Sequence, residues 1–160
     1  MIIVLMGVTG SGKTTVGQSL AASLGWGYFD ADDFHSAANV DKMRRGIPLN
    51  DADRRPWLES LQNLINESLS AGESAVLACS ALRQSYRDML LINDRVRLVY
   101  LKGNYDLIRE RLGARGDHYM NPALLDSQFE TLEEPDGALQ IDVQLPPAAI
   151  VEKIRSDFDI

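Results

Sequence analysis

The chain has 160 residues, enough for one domain with one sizeable core. It is 45% hydrophobic and 24% charged, an ordinary balance for a soluble globular protein. The formal net charge of −7 argues against a nucleic-acid binder working through a broad basic surface, although a local basic cleft stays open. The single cysteine, Cys79, excludes an intramolecular disulfide and fits a reducing compartment. The opening "MIIVLMG" lacks the basic flank of a signal peptide, and no apolar run approaches the roughly 18 residues of a membrane span. A cytoplasmic protein with no membrane or nucleic-acid partner is expected.

The first predicted strand is "IIVLM" (2–6), a continuous apolar run suited to a central strand buried on both faces. "GVTGSGKT" follows and fits G-x-x-x-x-G-K-[ST] in full, between an apolar strand and a helix predicted over 13–24. Gly10 and Gly12 permit backbone angles that a side chain blocks. Successive N–H groups can then face phosphate oxygens, helped by the positive end of the helix. Gly7, Val8, Thr9, Gly10, Ser11, Gly12, Lys13, Thr14 and Thr15 are therefore the expected nucleotide-binding residues. Lys13 is placed to reach the β- and γ-phosphates, and the Thr14 hydroxyl to ligate Mg²⁺.

A second strand over "GYFDAD" (27–32) leads into "FDADDFH". In an extended strand Asp30 and Asp32 share one face and Asp33 takes the other. One carboxylate of the pair can orient an accepting hydroxyl and take its proton, while the other sits near Mg²⁺. Asp33 is expected to cap the next helix, for which Ser36 is a second candidate cap; Gly46 and Pro48 stop that helix. A longer helix over 57–69 is capped by Asp51 or Asp53, with Pro56 in its first turn. Lys42, Arg44, Arg45, Arg54 and Arg55 make a local basic cluster, and an Arg fork suits a substrate carboxylate.

The third strand, "SAVLACS" (74–80), puts Ser80 and Arg83 just beyond its end, with a helix over 82–92. Cys79 reads as a small buried residue. After the fourth strand (97–103) and a helix over 104–112, Arg109, Arg111 and Arg115 precede "GDHYM". This suits a lid over about 111–133 that closes guanidinium groups onto a transferring phosphoryl. Arg111 and Arg115 share a face if the helix continues, Arg109 is solvated, and His118 is either a lid or a structural residue. A fifth strand (139–145) and a helix over 147–158, with Pro147 in its first turn, complete the chain.

Strands alternating with helices predict an α/β, P-loop NTPase-type three-layer fold: a five-stranded parallel sheet flanked by helices, plus a mobile lid. Residues 1–160 form one domain, with acceptor-binding helices about 36–70. Ligands of such sheets sit at the strands' C-terminal edge. A guanine-reading Asn-Lys-x-Asp is lacking, and the third strand ends "ACSAL" rather than in the Asp-Glu of an ATPase motor. A kinase is the first reading. A nucleotide-dependent switch is the alternative from another class.

The segments "MGVTGSGKTT", "DADDFHSAANVDKMRRGIPLNDADRRPWL", "CSALRQSYRDML", "RLGARGDHYM" and "LLDSQFETLEEP", running from residue 6 to 135, resemble the bacterial-type (thermoresistant) gluconokinase family. That family stands in the small-kinase branch of P-loop proteins with shikimate and adenylate kinases. The resemblance implies ATP-dependent phosphorylation of the 6-hydroxyl of D-gluconate, Mg²⁺, and often a homodimer. A kinase of another polyol acid such as shikimate is the alternative within the class. By the same resemblance Asp32 orients the acceptor hydroxyl and Asp30 lies nearer the metal with Thr14. Arg54 and Arg83 meet the substrate carboxylate, His35 and Lys42 complete the acceptor site, and Arg111 and Arg115 are lid arginines. "QLPPA" resembles the loop flanking adenine. Three positions depart from the family pattern: Ala31 where Gly is usual, Ser36 where Pro is frequent, and Arg83 where Lys is frequent.

Overall fold

Five parallel strands form one sheet in the order β2-β3-β1-β4-β5. They are β1 (Ile2–Met6), β2 (Gly27–Asp30), β3 (Ala75–Ala78), β4 (Val96–Lys102) and β5 (Leu139–Asp142). The computed structural model describes residues 1–114 and 122–160. β1 lies at the centre, with Ile2 opposite Ala75 on one side and Val96 on the other. Its five residues are all buried, which is why it reads as an unbroken apolar run. Successive side chains enter opposite layers, as the pleat requires. Ile3 and Leu5 join one apolar cluster, and Ile2, Val4 and Met6 join the other.

Seven α-helices among the described residues cover the two faces: α1 (Lys13–Leu24), α2 (Ala37–Arg44), α3 (Asp51–Ser70), α4 (Gln84–Leu90), α5 (Tyr105–Ala114), α6 (Pro122–Thr131) and α7 (Pro147–Phe158). Val16 and Leu20 of α1 pack with Ile108 of α5, Leu125 of α6 and Ile150 of α7 on the first face. Trp57, Leu61 and Ile65 of α3 pack with Tyr86 and Leu90 of α4 on the second. Strand order reverses direction at β1, between β3 and β4. A crevice therefore opens beyond β1's C-terminal end, where the glycine-rich loop begins.

Several expected boundaries shift. β2 ends at Asp30, because Ala31–Phe34 coil into a 3-10 turn. Asp30 caps that turn, accepting the Asp32 N–H at 3.0 Å. The strand alternation expected for Asp30 and Asp32 therefore does not apply. α2 is capped not by Asp33 but by Ser36, whose Oγ accepts the Asn39 N–H at 3.1 Å. The cap of α3 is Asn50, in a reciprocal capping box with Asp53. α3 thus begins six residues earlier than the apolar rhythm implies and carries Pro56 within it rather than in its first turn. α6 lies in the stretch read as lid, and Arg115 and His118 fall outside the described residues.

Candidate active site

The phosphate loop is built as its glycines require. Gly10 and Gly12 have φ of 77° and 93°, the left-handed region that side chains avoid. Gly12 is also the N-cap of α1, with no side-chain cap. The first-turn amides of α1 therefore face the crevice without a side chain competing for them, as an anion site needs. Lys13 Nζ folds over the loop, donating to the Gly7 and Val8 carbonyls at 2.9 Å each. Burial lowers the Lys13 pKa, and the negative charges of Asp32 and Asp30 oppose that shift. Ser11 is buried, and its hydroxyl has no partner among the described residues.

The acidic turn sits beside this lysine. Asp32 reaches solvent, yet the loop strips part of its water and Asp30 adds like charge; both raise its pKa, while Lys13 lowers it. Asp30 and Asp32 act on Lys13, whereas Asp33 does not figure among its neighbours. Asp30 and Asp32 are brought together by a capped 3-10 turn rather than by strand alternation. Tyr28 completes this corner. Its buried hydroxyl lacks a well-formed hydrogen bond among the described residues but lies close enough to Thr14 and Asp30 to feel both. Gly17 leaves room for that ring, since a Cβ there would fall 2.7 Å from Tyr28 Cε2.

Thr14 and Asp30 offer a hydroxyl and a carboxylate oxygen. Mg²⁺ is commonly held by one or two such ligands together with water and substrate phosphates. The donor chemistry at this corner, with the Tyr28 hydroxyl buried next to it, fits that cation. Among the described residues no three His, Cys, Asp or Glu side chains gather into a metal cage.

The acceptor side is held by a polar network. Asn39 is buried and donates to the Asp53 carbonyl at 2.8 Å, and its Nδ2 lies 3.4 Å from His35 Nδ1. His35 stacks on Trp57, with ring centroids 4.4 Å apart. Lys42 donates to both Asp53 carboxylate oxygens, at 3.0 and 2.9 Å. Its ammonium, expected on substrate, is committed to joining α2 to α3. Arg54 lies over the Tyr86 ring at 5.4 Å and 3.9 Å from Asp51. Arg83 pairs with Glu133 at 3.7 Å. Burial raises the Tyr86 pKa, and Arg54 and Arg83 both oppose the rise. Arg54 thus sits on the Tyr86 ring, and Arg83, paired with Glu133, is near enough for its charge to reach the same tyrosine.

Arg83 owes its place to a strained turn. Ala81 has φ of 44°, unusual for a residue with a side chain. The Arg87 guanidinium, 1% exposed, donates to the Ala81 carbonyl at 2.8 Å and to Gln84 Oε1 at 3.0 Å. Ser80 accepts the Gly7 N–H at 3.4 Å, so the turn backs onto the phosphate loop. Cys79 beside it is buried, with burial pushing its pKa up to about 12, which makes it an inert thiol.

On the nucleotide side, Arg111 Nη2 donates to the Val143 carbonyl, in the loop that follows β5. It tethers α5 to the "QLPPA" side of the crevice, away from the position expected over the phosphoryl group. Arg109 is exposed, as expected. Gln128 of α6 accepts the Thr9 N–H at 2.6 Å, a contact with the phosphate loop that no sequence rule assigns. Its one trace in the sequence is its place inside "LLDSQFETLEEP".

The family model described as Shikimate kinase matches residues 9–136. A probable gluconokinase of Xenopus tropicalis is 42% identical, over 99% of this chain and 94% of its own. The thermosensitive gluconokinase of Escherichia coli K12 is 42% identical, over 95% of this chain and 84% of its own. Among solved structures, a gluconokinase from Sinorhizobium meliloti 1021 superposes with a TM-score of 0.84 at 41% identity, covering 94% of this chain and 87% of that one. The chain belongs to the gluconokinase family, within the shikimate-kinase group of P-loop kinases.

Proposed function

We propose that the protein transfers the γ-phosphoryl of ATP to the 6-hydroxyl of D-gluconate, giving 6-phospho-D-gluconate and ADP. The observation that carries this reading is the phosphate loop itself, with Gly10 and Gly12 in the left-handed region and Lys13 folded over it, near enough to the acidic turn for Lys13 to feel the charge of Asp32. A phosphate-binding cation and a candidate base thus share one crevice. The gluconokinase relatives supply the acceptor.

In this reading the acceptor hydroxyl loses its proton to Asp32 as its oxygen bonds to the γ-phosphorus, and the bond to the ADP oxygen breaks. The raised pKa of Asp32 suits a base that takes a proton and then releases it to solvent. Lys13 leaves the Gly7 and Val8 carbonyls for phosphate oxygens, trading two neutral acceptors for a charged one. Thr14 and Asp30 would hold Mg²⁺, which when bound would neutralise phosphate charge. Arg54 and Arg83 receive the gluconate carboxylate, Arg83 leaving Glu133 to do so. His35 lines the acceptor side, and Lys42 acts through Asp53 to hold α2 against α3. Within the stretch 111–133, α6 is a fixed wall packed on the core through Leu125, and the lid role falls to Arg111, which would leave the Val143 carbonyl for the phosphoryl group, and to Arg115. The working form is a cytoplasmic protein, a homodimer as the resemblance implies, and residues 1–160 act as one kinase domain.

The test is ADP release measured against a panel of sugar acids, shikimate and nucleoside monophosphates. Stimulation by gluconate alone is expected. Stimulation by shikimate instead, or by no acceptor, would overturn the assignment.

A further inference from the structure

Thr9, the third residue of the phosphate loop, is gripped from a distant element. Its N–H donates to Gln128 Oε1 at 2.6 Å, across 119 positions of sequence. A backbone N–H can only donate, so the carboxamide oxygen must face it and the amide nitrogen must point away.

The helix that presents Gln128 is itself well held. Leu125, 2% exposed, packs in the same cluster as Val8 and Leu112. Phe129 meets Tyr105 edge-on at 5.5 Å, and the Tyr105 hydroxyl donates to Asp126 at 2.5 Å. Just past the helix, the Glu133 N–H donates to the Leu82 carbonyl at 2.8 Å, and its carboxylate accepts the Gln84 N–H at 3.2 Å. Gln128 therefore reaches the loop from a fixed platform.

The loop's other restraints differ in kind. Lys13 holds the Gly7 and Val8 carbonyls, but those bonds are surrendered when Lys13 turns to phosphate. The Ser11 N–H to Val8 carbonyl bond, at 3.2 Å, is internal to the loop. The Gly7 N–H to Ser80 carbonyl bond, at 3.4 Å, also comes from outside but holds the loop's inner end beside β1, whereas the Gln128 bond holds its outer limb and uses no group that turns to phosphate. A loop with left-handed glycines at 10 and 12 has much freedom to lose on binding, and a persistent external anchor reduces that loss.

We propose that Gln128 is a positioning residue for the nucleotide, fastening the outer limb of the phosphate loop to α6 so that its inward amides are pre-set for a polyphosphate. The inference rests on the phosphate-loop reading above but not on the identity of the acceptor.

The test compares the wild type with Gln128→Met, which keeps length and packing and removes the acceptor. ADP affinity is measured by calorimetry, with the KM for gluconate, the ligand-free melting temperature and hydrogen exchange at the Thr9 amide. ADP is expected to bind about three- to tenfold more weakly, the range of one hydrogen bond. Thr9 exchange should quicken, while gluconate KM and melting temperature hold. An unchanged ADP affinity overturns the proposal. So does a loss that runs in step with gluconate KM and melting temperature, which would mark a general structural role. A wild type that binds ADP but does not phosphorylate gluconate would defeat the kinase assignment and leave the Gln128 result standing.

Discussion

The Trp57 indole N–H donates to the Ala31 carbonyl at 2.7 Å, joining α3 to the turn that carries Asp32. Both residues are buried, and the His35 ring stacks on the same indole. One side chain thus fixes the base and part of the acceptor wall together. Trp57→Phe keeps an aromatic platform but strands a buried carbonyl, at a cost of about 1–3 kcal/mol. Turnover should fall about tenfold or more, because small misplacements of reacting groups are expensive. Urea melts and steady-state kinetics check this; an unaltered turnover would show that the indole bond does not set Asp32.

The stacked His35 predicts a pH dependence of stability. Burial lowers its pKa below the ordinary 6.5, with Arg54 adding to the shift. As pH falls through that ordinary value, the unfolded chain takes up the proton first. Stability is then complete above about pH 6.5 and lost as pH drops toward the folded value. Asp32 runs the opposite way, since its raised pKa favours the folded state on acidification, but in the lower carboxylate range. Unfolding free energies between pH 7 and 5 should decline in the wild type and decline less in His35→Gln. Parallel slopes would contradict the assignment.

Arg87 predicts a stability effect with a functional tail. Arg87→Ala leaves the buried Ala81 carbonyl unpaired at a strained residue and should cost about 2–4 kcal/mol. Arg87→Lys should recover little, because an ammonium cannot span Ala81 and Gln84 as the fork does. With Arg83 two residues beyond the turn, gluconate KM should rise more than ATP KM. Equal changes in both would detach the turn from the acceptor site.

The legible parts of this protein are those whose causes are local. β1, the glycine loop and the start of α1 occupy fourteen consecutive residues, and the glycines' angles match what the motif demands. Arg83 could be nominated from its place just beyond β3, and Arg54 from the basic cluster and the family resemblance; the contact of Arg54 with the Tyr86 ring could not. The parts that sequence reasoning missed turn on distant partners. β2 stops at Asp30 where a tryptophan 26 residues on seizes Ala31. Lys42 looked available until Asp53 was placed beside it by the α3 capping box. Arg111 finds a carbonyl 32 residues away, and Gln128 an amide at a separation of 119. No periodicity encodes such pairs.

The most direct test is turnover of Asp32→Asn with gluconate and MgATP, alongside its ADP affinity. Asparagine keeps the size of the side chain and removes the base. Turnover is expected to fall by a factor of about 10² or more, with ADP affinity within about twofold because Asp32 does not bind the nucleotide's amide cradle. Lys13→Ala, measured beside it, should abolish transfer and weaken ADP binding as well. An Asp32→Asn enzyme that turns over gluconate near the wild-type rate would contradict the account.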